Sequence, residues 1–173
     1  MNVRRADFAG SWYPGTRSDC RKAIEAFTKE ARPCPNGGRK RSGGIVPHAG
    51  WVFSGQTACN VIQCLQTTSP QTVVLFGRHL HPGSPSFIMT QGAWETPLGN
   101  IAIDEELAAA LVDEFPFEVE TAARYGQDNT IELQLPFIRY FFPEARIVPM
   151  GVPPAAEALR IGERVVALAE SLD

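Results

Sequence analysis

The sequence holds only three histidines, and all of them follow short apolar runs: His48 in "GIVPHAGW", and His79 and His81 in "VVLFGRHLHPG". Neutral imidazole ligates iron, zinc and copper. Two histidines with a carboxylate leave coordination positions open for a substrate or a metal-activated water. In open α/β sheets, ligands gather outside the carboxyl ends of the strands. If "GIVP" and "QTVVLFG" are neighbouring parallel strands, all three histidines reach the same edge. A lone strand-end histidine more often makes a backbone hydrogen bond and nothing more, so the case rests on two such positions coinciding. His79 and His81 share a face if their segment is extended; in a loop, at most one of them enters the site.

A second constellation is "YGQDNTIELQLPF", residues 125–137. Asp128 or Asn129 caps a helix starting near Thr130, with Glu132 in its first turn. Capping alone explains these residues. The functional alternative is that the helix start aims its amide-rich end at the histidine edge. Pro136 interrupts the helix unless it lies in a first turn. Trp94, in "GAWETPLG", reads as core or as an aromatic wall of the pocket. The aromatic and glycine-rich "FAGSWYPG" reads as a folded-over N-terminal cap, with a pocket wall as the alternative.

The elements that must position these groups alternate. Residues 18–30 read as a helix with an Ile24–Phe27 stripe, and residues 32–44 as a Pro- and Gly-rich loop whose basic run is a solvated face. "GIVP" reads as a short buried strand and residues 55–65 as a helix. Residues 71–77 are apolar without alternation, which predicts a strand covered on both faces. "SFIMT" is a further strand, and Asp104 caps an acidic-fronted helix. "ARIVPM" is a strand, and residues 155–172 form a last helix. The expected fold is α/β: helices around a mostly parallel or mixed central sheet that contains Ile45 and Val46, residues 73–76 and residues 147–149, in one domain over residues 1–173.

The chain has 173 residues, 44% hydrophobic and 20% charged with net charge -3, enough for one well-buried domain. The mild acidity argues against a nucleic-acid binder. The absence of a long apolar span argues against a membrane helix. The N-terminus lacks the apolar region of a secretory signal, so a cytoplasmic protein with free thiols at Cys20, Cys34, Cys59 and Cys64 is expected.

Taken in order, "FAGSWYP", "PHAGWVFSG", the Gly-then-His turn, "WETPLG" and "DNTIELQLPF" resemble the Memo-like family, relatives of the LigB-type class III extradiol dioxygenases. The resemblance runs from Arg5 to about Met150. It implies an α/β fold with a metal-binding pocket of LigB type. His48 matches the histidine of the family's PHAG motif. The family's second histidine falls here at Leu80. A one-residue deletion assigns the role to His79 and an insertion to His81, and the spacing to "WETPLG" favours His79. Glu132 matches the family pattern, whereas Asp128 replaces a glutamate and Asn129 a histidine. Asparagine is neither acid nor base at neutral pH. The family's later "SSD-x-SH" motif and metal-completing cysteine have no matching segment here.

Three functions follow. The first is a LigB-type oxidoreductase holding a divalent metal (iron first, then copper or zinc) and acting on a small aromatic or carbonyl compound. The second is a non-catalytic peptide- or protein-binding module with a vestigial pocket and no cofactor. The third is a hydrolase using a metal-activated water. Trp94, Asp128, Asn129 and Glu132 are expected at the pocket rim or in the layer just behind it. Apolar residues on the last helix (Leu159, Val165, Val166, Leu168, Leu172) predict a homo-oligomer, or a partner chain covering the C-terminal edge.

Overall fold

The apolar runs near residues 71–77 and 145–151 form strands, and they lie side by side. In the computed structural model, which describes residues 2–34, 41–67 and 69–172, β1 (Val3–Arg4) precedes α1 (Arg17–Lys29) and α2 (Trp51–Gln63). A 3-10 turn (Cys64–Thr67) leads to β2 (Thr72–Gly77), β3 (Ser86–Met89), β4 (Ala93–Trp94) and β5 (Ile101–Ala102). Then come α3 (Glu105–Glu114), β6 (Phe117–Glu120), α4 (Asn129–Glu132), α5 (Leu135–Phe141), β7 (Arg146–Gly151) and α6 (Ala156–Leu172). The larger sheet runs β2-β7-β3-β6, with β2 parallel to β7, β3 antiparallel to β7 and β6 parallel to β3. A smaller sheet, β1-β4-β5, joins it through a bridge between Ile103 and Ile147. With helices packed against mixed sheets, the class is α/β.

Local chemistry explains the helix starts. Thr16 Oγ1 accepts the Asp19 N–H at 3.1 Å to begin α1, and Asp104 accepts the Leu107 N–H at 3.2 Å to begin α3. Pro136 sits in the first turn of α5, where its missing N–H costs nothing, so "IELQLPF" becomes two short helices. The helical layer meets in an aromatic cluster: Trp51 stacks on Phe137 with ring centroids 4.2 Å apart, and Phe27 and Tyr13 close around Trp51.

Three expectations are corrected. Ile45 and Val46 form no strand, and Ile45 is 95% exposed. Two apolar residues between Gly43–Gly44 and Pro47 offer too few ladder donors to hold a strand. Residues 73–76 are not covered on both faces: β2 lies at the edge of its sheet, half-buried, with Phe76 49% exposed. The strand buried along its length after the exposed Arg146 is β7, flanked by β2 and β3. Two of the four cysteines are not free thiols, because Cys34 and Cys64 form a disulfide; Cys20 and Cys59 are free and buried. The loop read at residues 32–44 lies partly outside the described residues, as does part of its basic run.

Between the sheets lies Arg4, 1% exposed. Its guanidinium is sandwiched between Trp94 (3.5 Å to the ring centroid) and Tyr125 (4.2 Å). It donates to Glu120 at 3.0 Å and to the Gly126 carbonyl at 2.8 Å. Glu120 also accepts from Arg78 at 2.9 Å and from the Gly126 N–H at 2.8 Å. Removing one partner of a buried, hydrogen-bonded pair strands the polar groups it served. Arg4→Met is expected to lower unfolding free energy by about 2–4 kcal/mol in urea melts, with Arg78 still pairing Glu120; a loss under about 1 kcal/mol contradicts this account.

Candidate functional site

His48 is held by side-chain amides in place of a strand ladder. The Asn129 amide donates to the His48 carbonyl at 3.0 Å, and the Gln134 amide donates to the Pro47 carbonyl at 3.1 Å. On the other side, the Trp51 N–H donates to the Trp12 carbonyl at 2.9 Å and the Ser54 hydroxyl to the Ala49 carbonyl at 2.8 Å. The segment 47–51 is thereby fixed between α4, the start of α2 and the N-terminal loop. His79 arrives from the end of β2, where Thr130 and Ile131 approach Gly77 so closely that a Cβ would collide with them. The rings of His48 and His79 lie edge to face, centroids 4.9 Å apart.

Both imidazoles open onto a cavity of about 760 Å³ whose other walls include Trp12, Val52, Phe53 and Asn129. The walls are mostly apolar, and Val52 and Phe53 are 93% and 87% exposed at its rim. His81 lies elsewhere: it is exposed in a turn, where its N–H donates to Ser84 Oγ and its carbonyl accepts from the Ser84 N–H. Trp94 is buried beneath Arg4 and does not line the cavity.

The carboxylates are engaged away from the imidazoles. Asp128 accepts the Thr130 N–H (2.9 Å) and hydroxyl (2.6 Å) as the cap of α4. Glu132 is fully buried and accepts from the N–H groups of Phe8 (2.7 Å) and Asp7 (3.0 Å) and from the Tyr13 hydroxyl (3.0 Å). It therefore ties down the N-terminal loop that presents Trp12. Burial pushes the Cys20 and Cys59 thiols up to about 12 and about 11, so neither offers a thiolate. Among the described residues, no group of three or more His, Cys, Asp or Glu side chains is placed to hold a metal ion.

Sequence reasoning missed the exposed Val52 and Phe53 walls and the tethering amide of Gln134. "WVFSG" did carry a signal for the first two: Val52 and Phe53 are consecutive apolar residues in a helix whose buried face already includes Trp51, Ala58, Cys59 and Ile62. The "FAGSWYPG" segment serves both of its readings, with Tyr13 in the core and Trp12 on the cavity.

An α/β fold that brings histidines from two separate segments to one apolar cavity defines the class: a pocket-bearing domain built around an imidazole pair. The chain belongs to the Memo-like family, whose model, described as Memo-like protein, matches residues 4–169. It is 38% identical to a MEMO1 family protein of Methanopyrus kandleri, over 95% of this chain and 62% of the relative. It is 35% identical to a MEMO1 family protein of Thermococcus onnurineus, over 99% of this chain and 61% of the relative. A MEMO1 family protein of Pyrococcus abyssi is 34% identical, over 98% and 60%. The chain spans about three fifths of the length of these curated relatives. Among the described residues, no helix is long and apolar enough to cross a membrane.

Burial pushes Glu132 above its ordinary value of 4.5, against the opposing pull of its hydrogen bonds from Phe8, Tyr13 and Asp7. An acid whose pKa is higher folded than unfolded stabilises the fold fully below its unfolded pKa and loses that contribution as pH rises through the folded value. Between about pH 4.5 and neutrality, the wild type is expected to lose unfolding free energy relative to Glu132→Gln. Urea melts across that range measure it, and stability curves that stay parallel contradict it.

Proposed function

We propose that His48 and His79 are imidazole ligands of a divalent metal, in a LigB-type pocket that takes a small aromatic or carbonyl-bearing compound. What supports this most directly is the approach of the two rings to 4.9 Å at the wall of an apolar cavity. Iron is the metal the LigB-type resemblance implies, with copper and zinc the alternatives that imidazole also suits. A bound divalent ion would supply Lewis-acid polarisation of a ligand oxygen.

The residues present fit part of the need. Two imidazole nitrogens supply two donors, while Asp128 and Glu132 are committed to α4 and to the N-terminal loop. A third protein donor would come from another segment or a second chain, and the two histidines alone bind with little selectivity. Asn129 orients His48 through its carbonyl, but it cannot transfer a proton. Trp12, Val52 and Phe53 would pack against a flat apolar ligand and exclude water from the imidazoles. His81, Trp94, Asp128 and Glu132 act at a distance or not at all.

Metal-loaded protein, purified without chelators, is expected to carry iron or another divalent ion that is lost in His48→Ala and in His79→Ala, by elemental analysis. No metal under any loading condition rejects this reading. It would assign the cavity to a non-catalytic peptide- or protein-binding role, with the exposed Val52 and Phe53 as its contact.

The proposal extends to assembly and location. Leu159 and Val166 of α6 are 72% and 58% exposed, and a second copy related by two-fold symmetry would cover them. Sedimentation at micromolar concentration is expected to show a dimer that Leu159→Glu converts to monomer; a monomeric wild type ends this part of the proposal. A cytoplasmic location without nucleic-acid or membrane partners belongs to the same reading. The Cys34–Cys64 disulfide sets its condition, since such bonds persist inside cells chiefly in hyperthermophiles.

A further inference from the structure

Something must turn His79 back toward His48 at the end of an edge strand, and Arg78 occupies the turning point. It is the one non-glycine residue with positive φ, 80°, among the described residues. That region is disfavoured for a residue bearing a side chain, and it persists only where the neighbours over-determine it. Here they do. The Arg78 N–H donates to Thr130 Oγ1 at 2.6 Å, and that hydroxyl donates in turn to Asp128 Oδ1 at 2.6 Å. The guanidinium donates to Glu120 at 2.9 Å and lies 4.0 Å over the Phe87 ring. Two glycines leave room for it: a Cβ at Gly151 would come within 2.6 Å of Arg78 Cδ, and one at Gly126 would run into the guanidinium. Four separate segments, at Phe87, Glu120, residues 126–130 and Gly151, thus converge on a side chain that does not itself line the cavity.

We propose that Arg78 is a positioning residue: its left-handed backbone, held by Thr130 and clamped through Glu120, turns His79 out of the β2 direction and onto His48. An extended residue at 78 would continue the strand and carry His79 past the sheet edge. α4 supplies Thr130 to Arg78 and Asn129 to His48, so both imidazoles are referenced to one turn of helix. The metal consequence of this role rests on the reading of the histidines as a ligand pair; the positioning itself does not.

Nuclear Overhauser contacts between the His48 and His79 rings, measured on the metal-free full chain, test the positioning. A parallel Co²⁺ titration tests its consequence. The contacts are expected in the wild type, lost in Arg78→Ala and in Thr130→Val, and recovered to at least about half in Arg78→Gly, because glycine adopts the left-handed conformation freely. Co²⁺ affinity is expected to fall at least about tenfold in Arg78→Ala, the scale of effect for groups that orient metal ligands. Ring contacts that survive in folded Arg78→Ala and Thr130→Val overturn the positioning role whatever the metal does, as does their absence from the wild type. A wild type that shows the contacts but binds no Co²⁺ removes the metal reading and leaves the positioning role standing. Should Arg78→Ala fail to fold, Thr130→Val alone decides between the same outcomes.

Discussion

The Glu120 carboxylate, held between the guanidinium groups of Arg4 and Arg78, is the joint on which the rest of the structure turns. Arg4 belongs to the smaller sheet, Glu120 to the last strand of the larger one, and Arg78 to the exit of β2. One anion thus ties three regions of the backbone that no strand pairing connects directly. Burying a carboxylate is expensive unless every lone pair is matched. Here the two arginines and the Gly126 amide match it, and aromatic rings cover the flat faces of both guanidinium groups. The arrangement costs Arg4 some of its basicity through desolvation, which Glu120 partly offsets.

A second organising device is the short stretch from Asp128 to Gln134. Successive side chains there address different parts of the molecule: Asp128 its own helix start, Asn129 the His48 carbonyl, Thr130 the turn after β2, Glu132 the N-terminal loop, and Gln134 the Pro47 carbonyl. Four of these five contacts reach residues more than fifty positions away in sequence. The stretch is too short to fold as an independent helix. Its order comes from the partners it gathers.

This explains which parts of the structure were legible beforehand. The periodic stripe of the helix at Arg17–Lys29, the Asp104 cap of the one at Glu105–Glu114, and long apolar strands could be read from local pattern, whereas the first helix starts at a Thr16 cap and not at Ser18. The Ile45–Val46 strand failed because short apolar runs are ambiguous, and here side-chain amides took over the role of a ladder. Continuous apolarity at residues 71–77 predicts two-sided burial, yet strand order, a non-local property, puts β2 at an edge. At the site, His48 and His79 could be named from their positions after apolar runs. The partners of Asp128 and Glu132 could not, since capping and long-range tethering use the same residue types. The Cys34–Cys64 bond is not legible in the sequence because the N-terminus speaks only to compartment, whereas pairing is decided by proximity.

The Cys34–Cys64 bond closes a covalent ring through the chain, and the ring contains His48 but not His79. The two imidazoles therefore differ in topology although they share a cavity. A backbone cut within the ring leaves the molecule in one covalent piece until the bond is reduced. A cut near His79 has no such safeguard. The ring is a built-in splint for one half of the pair only.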